Sequence, residues 1–150
     1  MSILHKLGQF FLPVEDMINI YVLYIRSVLE QSSVVWNSSI TKGEQLDIER
    51  VQKCALLIIL KGGYTSYLES LEMTGLQTLK ARRNQLSLTF AMKCTKNEKT
   101  RDIFPISENV ANTRHHDKYL VTKSRTDRLA NSVIPFMQRL LNKQAEKKKK

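Results

Sequence analysis

Cysteine is nearly absent from this chain: Cys54 and Cys94 are the only two in 150 residues. Neither has a nearby Cys or His at metal-ligand spacing, so the sequence offers no disulfide framework and no zinc constellation. Two isolated thiols inside helix-like stretches are expected to be buried and free, in a reducing compartment such as the cytosol or nucleus. Phosphate-cradling glycine loops are missing too, because Gly62-Gly63 lacks the rest of either familiar pattern. There is no Gly-x-Ser-x-Gly nucleophile elbow. Asp16, Asp47, Asp102, Asp117 and Asp127 are never adjacent, and none follows an aromatic residue as in a polymerase metal motif. A two-metal centre needs converging carboxylates, and no candidate pair stands out. His115-His116-Asp117 is the only histidine cluster, and it has no partner ligands at helical spacing. The residues therefore point to no cofactor, no metal and no catalytic group.

Long apolar runs are also lacking. The run from Ile18 to Ile25 is broken by Asn19 and closed by Arg26, short of the ~20 residues a membrane span needs. The first residues do not form a basic segment leading into a long apolar core, so no signal peptide is expected. Aromatic residues make up 7% of the chain, with Trp36 the single tryptophan. Trp36 is expected to plug the core beside a turn, with base stacking as the alternative.

What the chain has is positive charge. The formal net charge is +10, which favours a polyanionic partner such as nucleic acid or an anionic membrane face, the plain alternative being a solvated basic surface with no specific partner. The charge is uneven. Residues 1–40 carry 2 Lys/Arg against 3 Asp/Glu, residues 41–100 carry 10 against 6, and residues 101–150 carry 12 against 5. The first third reads as packing surface and the last third as the electrostatic footprint. The candidate phosphate-binding residues are Lys80, Arg82, Arg83, Arg114, Lys123, Arg125, Arg128 and Arg139, with Lys118 in the same basic stretch and a Lys tail at 147–150. Such contacts give affinity without sequence readout, and that affinity falls steeply with salt.

Apolar periodicity predicts an all-α fold, a small helical bundle built on a helical hairpin over Tyr21–Leu60. A short helix over Ser2–Phe11 precedes Pro13. The next helix is expected from about Val14 to about Val35, with Ile18, Tyr21, Val22, Ile25, Val28 and Leu29 on a broad apolar face and an Arg26/Glu30 pair one turn apart. Asn37-Ser38-Ser39-Ile40-Thr41 makes the break. Thr41-Lys42-Gly43-Glu44 then matches a capping box that opens a helix to about Leu60. On that helix Leu46, Val51, Ala55 and Ile58 form the apolar stripe, and Glu49, Arg50, Gln52 and Lys53 the exposed face. Lys61-Gly62-Gly63 is expected to end it through a left-handed glycine. A short helix over Tyr67–Met73 ends at Gly75. A fifth, over about Thr78–Thr95, carries Leu79, Leu86 and Phe90 on its seam, with the Arg83 head reaching solvent or phosphate. Residues 96–123 lose the pattern and read as extended or disordered, with Ile103-Phe104-Pro105-Ile106 as a possible anchor. Thr126-Asp127 starts a turn or short helix, Pro135 interrupts it, and helical spacing resumes over Phe136–Asn142. The corresponding domain division is a helical domain over 1–95, a basic linker over 96–125, and a short helix with a Lys-rich tail over 126–150.

Several of these stretches, in order, resemble the region that follows the palm in reverse transcriptases of non-LTR retrotransposons, the jockey-like and related LINE-type elements. Tyr24-Ile25-Arg26-Ser27-Val28-Leu29-Glu30-Gln31, then Val35-Trp36-Asn37, are similar to one helix of that region. Ile48-Glu49-Arg50-Val51-Gln52-Lys53-Cys54-Ala55 is similar to the next. Tyr67 to Leu79 with Arg82-Arg83, then Arg128 to Pro135, then Met137 to Asn142, continue the likeness. It covers about residues 20–142 and departs at Gln31 and Ser32, where the family often has an aromatic residue and Cys.

The resemblance implies a helical thumb and C-terminal segment of an RNA-directed DNA polymerase, a subdomain that grips the template–primer duplex. The catalytic carboxylates of the family lie in the palm, and no position here matches them. A non-catalytic fragment with general nucleic-acid affinity, nuclear or cytoplasmic, is the expected function. The alternative is a protein-interaction or self-associating helical module that uses an apolar face of the 14–35 helix left open where a palm would pack.

Overall fold

The computed structural model describes residues 2–10, 12–107 and 118–147. The chain is all-α: 72% is helix and 1% strand, with no sheet among the described residues. It forms two compact units, one of Met1–Ser32 with Ile40–Arg82, the other of Ser33–Ser39 with Arg83–Lys150. The expected divisions near residues 95 and 125 both fall inside the second of these.

The first unit opens with α1 (Ser2–Gly8) and α2 (Val14–Ile20). Pro13 precedes α2, and Glu15 and Asp16 occupy its first turn, where carboxylates oppose the positive end of the helix dipole. The long helix expected to continue to Val35 is interrupted twice. Residues Tyr21–Arg26 wind as a π-helix before α3 (Ser27–Glu30), and the Ser27 hydroxyl donates to the Leu23 carbonyl at 2.6 Å. An extra residue in the winding rotates the side chains that follow it. Leu23, Tyr24 and Val28 end up 66%, 67% and 67% exposed. Ser32 then takes φ +52, a left-handed conformation that terminates the helix at a non-glycine residue.

The capping box forms as its spacing predicts. The Glu44 amide donates to Thr41 Oγ1 at 3.2 Å, and the Thr41 amide donates to Glu44 Oε2 at 2.7 Å. The Thr41 backbone and side-chain donors hold the Glu44 carboxyl below its ordinary range. From this cap α5 (Lys42–Leu60) runs 19 residues. It ends at Lys61, not at a glycine, with φ 48. The Lys61 ammonium donates to the Gly8 carbonyl at 2.7 Å. A cation at that carbonyl suits the negative end of α1, which is a physical reason for lysine where glycine was expected.

The core of this unit is Leu4, Met17, Tyr21, Ala55 and Ile59. Here the expected faces of α5 are partly reversed. Gln52, assigned to the exposed face, is fully buried, whereas Leu46 is 60% exposed and Cys54 is exposed. Gln52 accepts from the Tyr21 hydroxyl at 2.9 Å and donates to the Gln77 carbonyl at 2.9 Å. One carboxamide thus satisfies a buried phenol and a loop carbonyl together. Burial pushes the Tyr21 phenol far above its ordinary range, against the opposing effect of nearby Arg26, so it stays a donor at neutral pH.

After a 3₁₀ turn at Lys61–Gly63, α6 (Tyr67–Thr74) is capped by Ser66 and ends at Gly75, φ 65. α7 (Leu79–Lys96) follows, with its first four residues in the first unit. Its opening turn is held by Glu49 of α5. Glu49 Oε1 accepts from the Lys80 amide at 2.7 Å, and Oε2 accepts from the Leu79 amide at 3.3 Å and the Tyr67 hydroxyl at 2.5 Å. A carboxylate on orphan helix amides is an N-cap supplied from another helix.

The second unit comprises α4 (Ser33–Trp36), the rest of α7, a 3₁₀ turn at Arg101–Ile103, α8 (Asp127–Ala130) and α9 (Val133–Lys147). Its core is Ala91, Phe104, Met137 and Leu141, with Val34, Tyr119 and Val133 packed against it. Phe104 is the buried member of the expected 103–106 anchor. Thr126 caps α8. Pro135 does not interrupt the last helix; it is the third residue of α9 and is buried. A proline in the first turn removes no intrahelical hydrogen bond.

Replacing Gln52 by Ala strands the Tyr21 hydroxyl and opens a cavity, and should cost about 2–4 kcal/mol in chemical denaturation. A loss under about 0.5 kcal/mol, the range of ordinary surface changes, would contradict the buried role.

Candidate nucleic-acid interface

In the second unit a non-helical segment runs from Lys118 to Arg125 between the residues not described and α8. Non-helical backbone outside a sheet needs partners for its amides and carbonyls. One edge is satisfied by a single antiparallel bridge, Ile106 to Tyr119. The Ser107 amide donates to the Lys118 carbonyl at 3.0 Å and the Leu120 amide to the Pro105 carbonyl at 2.9 Å. This leaves the Tyr119 amide and carbonyl facing the other way. The Asn142 carboxamide takes both: its Oδ1 accepts from the Tyr119 amide at 2.9 Å and its Nδ2 donates to the Tyr119 carbonyl at 2.9 Å. One turn earlier on α9, Gln138 Oε1 accepts from the Thr122 amide at 2.8 Å, and its Nε2 donates to the Ile103 carbonyl at 3.1 Å. Both carboxamides are buried. The helix does here what a neighbouring strand does in a sheet.

The consequence is a basic segment pinned from behind. Tyr119 and Val121 are half-buried, while Lys118, Lys123 and Arg125 are exposed, and Arg128 is exposed on α8. The Lys118 ammonium lies 5.5 Å from the Tyr119 ring centroid. Residues 118–130 carry these four cations against the single carboxylate of Asp127. Concentrated cations on a fixed backbone favour contact with phosphates.

The other expected contact residues divide sharply. Lys80 is exposed in the first turn of α7. Arg82 donates from Nε to Glu30 Oε1 at 3.1 Å, and Arg26 lies 3.6 Å from the same oxygen. The expected one-turn Arg26/Glu30 pair thus gains a third member. Arg83 is not on a surface at all: it is fully buried. Its Nε donates to Asn37 Oδ1 at 3.1 Å, and its guanidinium sits 5.6 Å from the Trp36 ring centroid. Asn37 in turn donates to Asn84 Oδ1 at 3.0 Å. The expectation that the Arg83 head reaches phosphate is therefore corrected, because this packing uses it within the second unit. Trp36, half-buried, carries that cation against its ring. Arg139 is half-buried and donates from Nη2 to the Ala130 carbonyl at 2.8 Å, capping the end of α8. Arg114, the His115-His116-Asp117 cluster and residues 148–150 of the Lys tail lie outside the described residues.

Gln138 and Asn142 were missed as site-forming residues. Their signal was available: they fall one turn apart, each directly following a buried apolar residue, Met137 and Leu141. Carboxamides on an apolar face need partners, and the patternless stretch before α8 had backbone to offer.

No group of three or more His, Cys, Asp or Glu among the described residues could hold a metal ion. No helix among them is long and apolar enough to cross a membrane. Set against family models, curated proteins and solved structures, the chain matches none.

Replacing Asn142 by Leu keeps the helix and its bulk but removes both bonds to Tyr119. Hydrogen exchange at the Tyr119 amide should then speed up at least tenfold while the Thr122 amide, held by Gln138, and α7 stay protected. Unchanged protection at Tyr119 would contradict the grip described here.

Proposed function

We propose that this chain is a non-catalytic, thumb-like helical fragment of a retrotransposon-encoded RNA-directed DNA polymerase, and that it binds nucleic acid without sequence preference. The ordered likenesses from Tyr24 to Asn142 support the origin. The observation that carries the binding is the exposure of Lys118, Lys123, Arg125 and Arg128 on a backbone held by Gln138 and Asn142. Lys80 adds a cation in the other unit. In this reading the protein works in the nucleus or cytosol, on the phosphate backbone of RNA or DNA, and carries no catalytic residue of its own.

Fluorescence anisotropy with labelled oligonucleotides across a salt series tests it. Log affinity should fall linearly with log salt, and each of Lys123→Ala, Arg125→Ala and Arg128→Ala should flatten the slope by roughly 0.7–0.9. Arg83→Lys should leave that slope unchanged. Binding that is absent at low salt, or indifferent to salt, would sink the proposal.

A second reading, a self-associating module, is favoured by one observation. Leu23, Tyr24 and Val28 stand about two-thirds exposed on neighbouring turns of the first unit, and clustered exposed apolar side chains mark interaction surfaces. Light scattering should then show a concentration-dependent mass that Tyr24→Ser with Val28→Ser returns to monomer. A monomer at all concentrations in the unaltered chain would rule it out.

A further inference from the structure

Beside the basic segment the second unit contains an open cleft of about 550 Å³, within the ~300–1,000 Å³ range of small-molecule sites. Its walls are Arg101, Phe104, Pro105, Ile106 and Tyr119, with Asp102 the one carboxylate among its lining residues. The way these walls are built bears on what fits between them. Ile106 and Tyr119 oppose each other in the single bridge at a position where the two backbones exchange no hydrogen bonds. In such a pair the two side chains lie close together on one face. Phe104, which closes the 3₁₀ turn with φ −119 and ψ 65, is buried and lines the same cleft. Asn142 holds the Tyr119 amide and carbonyl from the opposite edge, which fixes the backbone from which the ring projects. A phenol ring, a proline ring and an isoleucine thus line one apolar slot.

The rim of the slot is cationic. Arg101 is 66% exposed in its side chain and only 3.7 Å from Asp102, itself 89% exposed, a pairing too solvated to neutralise it. Lys118 lies over the Tyr119 ring, 5.5 Å from its centroid, so a base that seats there displaces the ammonium toward the adjoining phosphate. A flat π-surface inside and cations at the mouth match one chemical class: a nucleobase carrying its phosphate. Base–aromatic stacking is tolerant of sequence because every base has a π-face, and it requires an unpaired base.

We infer that this cleft is a base-stacking pocket for single-stranded nucleic acid, with one unpaired base seated on Tyr119 and the adjoining phosphate met by Arg101 and Lys118. The inference rests on the nucleic-acid reading above and adds to it a preference. The chain holds single strands, or the unpaired end of a duplex, more tightly than continuous duplex. Phosphate contacts alone confer no such preference.

The test compares a labelled single-stranded oligonucleotide with a blunt duplex of the same length, by anisotropy at low salt. The unaltered chain should bind the single strand about tenfold or more tightly than the duplex. Tyr119→Leu, which keeps an apolar side chain against the core but removes the ring, should abolish that difference and leave duplex affinity unchanged. Tyr119→Trp should keep it. Arg101→Ala, at a well-exposed position where the fold is not at stake, should weaken single-strand binding several-fold, and circular dichroism should show native helicity for every variant. Equal affinities for the two substrates, both unaffected by Tyr119→Leu, would overturn the stacking pocket while leaving the phosphate-binding surface standing. Failure to bind either substrate would overturn both.

Discussion

The rest of this structure depends on one constraint: non-helical backbone, with no sheet among the described residues, must find hydrogen-bond partners on side chains. A buried amide or carbonyl left unpaired costs about 1–3 kcal/mol, and ladder bonds are almost wholly lacking here. Helices supply the partners instead. Gln52 of α5 reaches the Gln77 carbonyl, and Glu49 of α5 reaches the first amides of α7. Gln138 and Asn142 of α9 hold Thr122, Ile103 and Tyr119. These polar groups sit inside the apolar faces of their helices, which is why α5 and α9 pack against loops as well as against other helices.

The same constraint sorts the cations. Lys61, Arg82, Arg83 and Arg139 are all drawn into holding the fold: one on the end of α1, one on Glu30, one beside Asn37 and Trp36, one on the end of α8. A net charge of +10 therefore overstates how much of the positive charge faces solvent free of structural duty. Part of what remains displayed lies on the segment from Lys118 to Arg128, whose backbone α9 holds with its carboxamides. The electrostatic surface and the buried amide contacts are in this sense one feature seen from two sides.

Much of the fold was legible in the sequence. The Thr41 capping box, the Gly75 terminus and the α-helical class all follow from spacing and local chemistry. Three kinds of feature were not. The π-helix at Tyr21–Arg26 and the left-handed Ser32 interrupt an apolar pattern that, read at 3.6 residues per turn, runs unbroken to Val35. Gln52 and Arg83 look like surface residues by type, and only their partners, 31 and 46 residues away in the chain, explain their burial. Cys54, assigned to the interior by residue type, is exposed, because the groove it borders, between α1 and α5, is open. Of the candidate site, the basic stretch was visible as charge. The role of Tyr119 was not, since it depends on a bridge to Ile106 that no local pattern announces.

The most direct test of the central claim is residue-resolved. Backbone amide chemical shifts would be followed by nuclear magnetic resonance while a short single-stranded oligonucleotide is titrated in at low salt. The account predicts a contiguous response over Arg101–Ile106 and Lys118–Arg128, with the amides around Leu23–Val28 unmoved. Shifts confined to Leu23–Val28, or no shifts at all, would contradict it.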